Sequence, residues 1–172
     1  MIRKLTGSTA AMLYVTRNAA PRSSTVTDAK LLMSAITNVV VFFGLTDQVS
    51  ALEMPFTLSG TTLTSNATDA CGVLFDTDAT TDDWGLVGVA ADTDATKQDA
   101  GVAPVASTME TWRIEISATG VATFYRNGTL IGTAMTAAVT ASVSLTPVIA
   151  AFARGAASRT VDADFISIQA QR

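Results

Sequence analysis

Hydrophobic and polar residues alternate most regularly between residues 111 and 133. From Trp112 to Ser117, large apolar side chains take every second position, which is the pattern of a strand with one buried face. Gly120 then interrupts the pattern, and Asn127-Gly128 suits the two positive φ angles that a type I′ hairpin requires. We therefore predict three consecutive antiparallel strands that turn at Gly120 and at Asn127-Gly128.

The other runs of apolar and β-branched residues are short and are separated by polar turns, as in an all-β sandwich. Further strands are predicted at 12–16, 52–58, 71–76, 84–90, 142–151 and 160–168. Residues 30–43 fit two interpretations, because the first half has the spacing of a helix whereas 39–43 is typical of a strand. No internal repeat with the period of a solenoid or a propeller is visible.

The strand WRIEI, the glycine turn and the hairpin FYRNG resemble concanavalin-A-like (laminin-G-like) jelly-roll sandwiches. Residues 39–47, 71–76 and 143–169 are similar to strands of such domains in tailed-phage structural proteins. The resemblance covers about residues 28–172 and implies an all-β, antiparallel β-sandwich of the concanavalin-like jelly-roll type. It also favours two strands within residues 30–43, with a bend at Thr37-Asn38.

Members of this family carry more strands ahead of the one that begins near residue 28. Residues 1–27 are therefore expected to form an extended N-terminal arm or a first strand, ahead of a sandwich domain at 28–172. The segment contains Arg17 and Arg22, which are candidate assembly residues if the arm reaches a neighbouring subunit or a capsid shell. A solvated tail is the alternative.

Charge is scarce in this chain of 172 residues, of which 48% are hydrophobic and 15% are charged. A weakly charged surface favours association, and we expect a homo-oligomer, with a trimer favoured. The net charge is −4 and the basic residues are scattered, so no nucleic-acid partner is expected.

Cys71 is the single cysteine, which excludes an intramolecular disulfide and suggests a small buried apolar side chain. The N-terminal segment is a poor match to a signal peptide. The longest apolar run, 39–43, is far too short to span a membrane. These features predict a soluble protein with no membrane partner.

The sequence contains no histidine, which excludes histidine-dependent nucleophiles and the usual zinc sites. Asp162 and Asp164 have the spacing that paired glycosidase carboxylates on one strand require. The resemblance places this pair on an ordinary closing strand, so we interpret it as structural. No catalytic residue is assigned, and the chain is predicted not to be an enzyme.

Two acidic loops flank the predicted strand 84–90. Their aspartates Asp76, Asp78, Asp92 and Asp94 are weak candidates for Ca²⁺ ligands, although aspartate is also common in plain turns. No other cofactor is expected.

Aromatic side chains could stack on a sugar, and the sequence offers Tyr14, Trp84, Trp112 and Tyr125 for this role. Trp112 is explained by core packing, because it shares a strand face with isoleucines. Trp84 is the better candidate for an exposed glycan-stacking residue, because it follows an acidic loop.

The resemblance implies a non-enzymatic structural protein of a bacteriophage virion, foremost a capsid decoration or cement protein that adheres to the major capsid protein or other virion proteins. Such a protein would be made in the host cytoplasm and located in the virion. The first alternative is a carbohydrate-binding module, or a head or tail fibre domain, that recognises a glycan. A glycoside hydrolase is the third hypothesis.

Overall fold

The computed structural model describes residues 3–7, 10–14 and 24–170. These residues form fifteen β-strands. In chain order they are β1 (Arg3–Gly7), β2 (Ala10–Tyr14), β3 (Thr25–Met33), β4 (Val39–Thr46), β5 (Phe56–Ser59), β6 (Thr62–Ser65), β7 (Ala70–Asp76), β8 (Gly85–Ala90), β9 (Thr93–Asp94), β10 (Gln98–Asp99), β11 (Met109–Ile116), β12 (Ala122–Arg126), β13 (Thr129–Met135), β14 (Thr146–Ala153) and β15 (Arg159–Ala170). The described ranges contain no helix with the length and hydrophobicity needed to cross a membrane.

The strands form two large antiparallel sheets. The six-stranded sheet has the order β1-β15-β3-β11-β12-β13, and the seven-stranded sheet has the order β10-β8-β7-β4-β14-β2 with β9 beside β8. Neighbours such as β15 and β3, or β14 and β4, are far apart in sequence, which is the connectivity of a jelly roll. The predicted all-β antiparallel sandwich of the concanavalin-like type is confirmed.

The main core lies between the two sheets. On β11, Trp112, Ile114 and Ile116 are each at most 1% exposed, and they meet inward residues of the other sheet such as Phe43 and Phe75. The alternation in the sequence therefore identifies the buried face of this strand correctly.

A second apolar layer covers the outer face of the seven-stranded sheet. The hairpin β5–β6 and its flanking loops place Met54 and Phe56 against Phe42 on β4 and Leu74 on β7, and all four are at most 2% exposed. The rings of Phe42 and Phe56 have centroids 5.7 Å apart. Both faces of β4 and β7 are thus buried, which explains why these strands have continuous apolar runs instead of alternation.

The predicted turns are present. Asn127 and Gly128 have φ angles of 50° and 81°, and they connect β12 to β13. Gly120 has a φ of 78° between β11 and β12. The ambiguous segment 30–43 is divided between β3 and β4, with Asn38 at a φ of 50°, so the predicted bend at Thr37-Asn38 is confirmed.

The N-terminal strands join the edges of this chain's own sheets. β1 pairs with β15 and β2 pairs with β14. β3 begins at Thr25 and runs across the predicted boundary between residues 27 and 28. Arg17 and Arg22 lie outside the described residues, so the assembly arm, and with it the trimer, stays a prediction.

Some predicted strand bounds are wrong. The prediction of a strand at 52–58 is corrected to Phe56–Ser59, because the preceding residues form the loop that leads into the hairpin. The predicted strand 12–16 is placed at Ala10–Tyr14, and the predicted strand 142–151 begins at Thr146.

Candidate functional site

A polar surface lies on the outer face of the six-stranded sheet. The side chains of β3 and β11 alternate, so Thr27 and Ile114 point into the core while Asp28 and Arg113 point outward. Asp28 and Arg113 are paired directly across the two antiparallel strands. Tyr125 on β12 pairs with Arg113 from the other side. Three neighbouring strands therefore bring a carboxylate, a guanidinium and a phenol together.

These side chains line a shallow groove of about 440 Å³. Its lining residues are Asp28, Thr111, Arg113, Glu115, Tyr125 and Gly128. The hairpin turn at Asn127-Gly128 bounds one end of the groove, so the local turn chemistry contributes to the shape of the site.

An ion pair occupies the centre of the groove. Arg113 Nε donates a hydrogen bond to Glu115 Oε1 at 2.7 Å, and Arg113 Nη2 lies 2.7 Å from the same oxygen. This hydrogen bond raises the pKa of Arg113 against a weaker effect of desolvation, and the charges of Glu115 and Asp28 add to the increase. The side chains of Arg113 and Glu115 remain 47% and 34% exposed, so a ligand can reach them.

Asp28 is the less engaged carboxylate of the groove. The hydroxyl of Ser167 donates a hydrogen bond to Asp28 Oδ2 over an Oγ–Oδ2 distance of 3.4 Å. Such a long contact leaves most of the acceptor capacity of the carboxylate available to a ligand.

The predicted glycan-stacking residue Trp84 is corrected by the structure. Trp84 is only 2% exposed, and its ring meets Trp112 edge to face with centroids 5.2 Å apart. Its Nε1 donates to Glu110 Oε2 at 3.1 Å, and the same carboxylate accepts two hydrogen bonds from Arg126. A buried carboxylate accepts from the polar edge of the indole, so this tryptophan belongs to the core although it follows an acidic loop.

The candidate Ca²⁺ ligands do not converge. The carboxylate of Asp76 is buried and bound to Arg154, and that of Asp78 lies 3.3 Å from Arg154 Nε. Partial burial lowers the pKa of Arg154, but the hydrogen bond and charge of Asp76, with the charge of Asp78, raise it overall. Asp92 and Asp94 are exposed at the turn into β9. Within the described ranges, no group of three or more carboxylate, thiol or imidazole side chains could hold a metal ion.

The pair Asp162 and Asp164 does not have regular strand geometry. The register between β15 and β3 shifts between Ala163 and Phe165, so a β-bulge falls at Asp164. Asp164 forms a half-exposed ion pair with Lys30 at 3.6 Å. Neither aspartate lines the groove.

Cys71 is fully buried between the sheets, where desolvation raises the pKa of its thiol to about 12. The thiol is therefore protonated at neutral pH and unsuited to nucleophilic chemistry.

This architecture defines a class of protein, the concanavalin-like jelly-roll sandwich, here with a polar groove on one sheet. No protein-family model matches the sequence, and no curated protein matches it. Solved structures do match the fold. A β-1,3-1,4-glucanase (lichenase) derived from a mouse hindgut metagenome has a TM-score of 0.67 at 8% identity, with 99% of this chain and 80% of that chain covered.

Two further solved structures are similar. A β-glucanase from Bacillus licheniformis has a TM-score of 0.66 at 10% identity and covers 100% of this chain and 78% of its own. A carbohydrate-binding module from Bacillus subtilis has a TM-score of 0.55 at 8% identity and covers 95% of this chain and 84% of its own. At such identities the likeness shows a shared fold.

Two sequence-based predictions change in light of these neighbours. The prediction that the chain is not an enzyme is wrong, because the solved structures that share its fold include β-glucanases. The carbohydrate-binding and glycoside hydrolase alternatives are better supported than the virion role, for which the neighbours offer no indication.

Asp28 and the Arg113–Glu115 pair were not predicted as site residues from the sequence. Asp28 lies on a different strand, β3, so no local pattern in the sequence places it beside Arg113 and Glu115. The alternation along β11 predicts that Arg113 and Glu115 face outward, but it does not predict their neighbours on the adjacent strands.

Proposed function

We propose that this chain is a carbohydrate-recognition domain that binds a glycan in the groove between Asp28, Arg113, Glu115 and Tyr125. The observation that carries the proposal is this group of side chains on three adjacent strands. Sugar-binding and sugar-cleaving proteins among the structural neighbours support the same class of ligand.

The chemistry of the groove suits a ligand rich in hydroxyl groups. Carboxylates accept hydrogen bonds from hydroxyls and guanidinium groups donate to them, and such charge-assisted bonds are stronger than neutral ones. The half-buried ring of Tyr125 adds an apolar face with a polar tip. A few polar groups beside an aromatic face are typical of small-ligand sites.

Binding is tested by isothermal titration against a panel of neutral and acidic polysaccharides. We expect Asp28→Asn and Tyr125→Ala to weaken binding of the best ligand about tenfold or more. The matched control is Asp164→Asn, which changes a half-exposed carboxylate on the same sheet but outside the groove, and it should bind like the wild type. Absence of binding to every polysaccharide, or equal affinity in all four proteins, would contradict the proposal.

Hydrolysis of the bound glycan is a second candidate function. The specific observation is that two carboxylates, Asp28 and Glu115, line one groove, as a glycosidase that uses an acid and a base or nucleophile requires. Release of reducing ends from the bound polysaccharide is the measurement. If the groove is catalytic, the wild type releases them and both Asp28→Asn and Glu115→Gln fail to do so, whereas Asp164→Asn retains the activity.

A further inference from the structure

The groove continues past the central ion pair. A second depression of about 360 Å³ shares Arg113 and Glu115 with the first. Its other lining residues are Ser24, Val26, Ile116, Ser117, Val121 and Thr123. The two depressions therefore adjoin at the Arg113–Glu115 pair, and together we call them the β11 groove.

The β11 groove is elongated along one strand. It follows β11 from Thr111 at one end to Ser117 at the other. Six residue steps along an antiparallel strand span about 20 Å. This length exceeds that of a single sugar ring several times, so a monosaccharide would leave most of the lining unused.

The charges of the β11 groove disfavour an anionic ligand. Among the described residues that line it, the charged side chains are Arg113, Glu115 and Asp28, so two carboxylates face one guanidinium, which already forms an ion pair with Glu115. Lys30, the lysine of β3, forms an ion pair with Asp164. A uronic acid would bring a further negative charge close to Asp28, and such a like-charge approach is unfavourable.

Both halves of the groove combine apolar surface with hydrogen-bonding groups. The first half has the ring of Tyr125, and the second has the side chains of Val26 and Val121 beside the hydroxyls of Ser117 and Thr123. Apolar patches next to hydrogen-bonding groups recur on both sides of the ion pair, which suits a chain of similar units.

We infer that the β11 groove takes a linear, uncharged oligosaccharide of several sugar units that lies along β11 and crosses the Arg113–Glu115 pair. This inference rests on the proposed function and specifies its ligand. Each unit added within the groove gains contacts with its lining residues.

The test is a titration series of neutral gluco-oligosaccharides from one to six units, together with an oligogalacturonate of matched length. We expect affinity to rise about tenfold or more from the disaccharide to the tetrasaccharide and then to level off. The oligogalacturonate should bind about tenfold more weakly than its neutral counterpart.

A variant separates the two halves of the groove. Val26→Trp fills the second half, so it should reduce the affinity for long oligosaccharides toward that for short ones. Val49→Trp, the same substitution at a 48% exposed position in the loop between β4 and β5, is the matched control and should change neither. Thermal melting of each protein confirms folding.

The outcomes distinguish the two hypotheses. Binding with no dependence on length, or equal binding of the uronate, overturns the inference and leaves the proposed glycan recognition standing. Failure of every oligosaccharide and polysaccharide to bind overturns both.

Discussion

Asp76, at the end of β7, forms a two-pronged ion pair with Arg154, which directly follows β14. The strands β7 and β14 lie on opposite sides of β4 in the sheet. Arg154 Nε donates to Asp76 Oδ1 at 3.0 Å, and Arg154 Nη2 donates to Oδ2. Asp76 Oδ2 also accepts a hydrogen bond from the backbone N–H of Leu58 at 2.9 Å. One fully buried carboxylate therefore ties β7, the end of β14 and the covering hairpin together.

Replacing Asp76 by Ala is expected to lower the free energy of unfolding by about 3 kcal/mol, because the partly buried guanidinium and the Leu58 amide lose their acceptor. Asp78→Ala is the control, since Asp78 contacts the same arginine but is 51% exposed, and its loss should stay below about 1 kcal/mol. Urea denaturation of the three proteins measures both values. Equal stability of the two variants would show that the buried pair contributes no more than the exposed one.

The second prediction concerns the close packing of Phe42 on β7. A Cβ added at Gly72 would lie 2.5 Å from Phe42 Cε2 and 2.4 Å from the carbonyl oxygen of Phe43. We expect Gly72→Ala to destabilise the fold by about 1–3 kcal/mol, through displacement of the ring or of the backbone. Gly85→Ala, whose Cβ would find its nearest neighbour at 3.5 Å, is the control and should change stability little. Equal melting temperatures would contradict the packing argument.

The third prediction concerns the hairpin that bounds the groove. Gly128 has a φ of 81° with open space around it, so any penalty there comes from the backbone and not from a clash. Gly128→Val should lower the unfolding free energy by about 1–3 kcal/mol, since a β-branched residue is strained at positive φ. Gly128→Asn should cost less, because asparagine tolerates this conformation. If the two variants unfold at the same urea concentration, the turn assignment is wrong.

The fourth prediction concerns alkaline pH. Burial raises the pKa of Cys71 from 9.0 to about 12, so above pH 9 the unfolded chain loses this proton while the folded chain keeps it. The contribution of this thiol is fully present below pH 9 and is lost as the pH rises toward 12, by about 1.4 kcal/mol per pH unit.

Unfolding free energies measured below pH 9 and at steps up to pH 12 test this dependence. Cys71→Ala removes the titrating group and should show a correspondingly shallower decline over the same range. Parallel curves for the wild type and the variant would exclude the thiol as the cause.

The sequence predicted the elements with the strongest local signals. Strand β11 and the turns at Gly120 and Asn127-Gly128 were predictable, because side-chain alternation and positive φ are properties of a few adjacent residues. The residue Trp84 shows the limit of this reasoning. Its acidic neighbours suggested exposure, whereas its burial depends on Glu110, 26 residues away.

Local sequence patterns were enough to predict antiparallel strands and to show that Arg113 and Glu115 face away from the core, since both follow from a periodicity of two. That Asp28 and Tyr125 lie beside them follows only from the assembled sheet. Cross-strand pairs form between segments distant in sequence, such as β3 and β11, and their register depends on how the whole sheet assembles. The position of the hairpin β5–β6 also depends on contacts between segments distant in sequence, because its apolar side chains pack on the outer face of the seven-stranded sheet. The polar groove lies on the outer face of the six-stranded sheet.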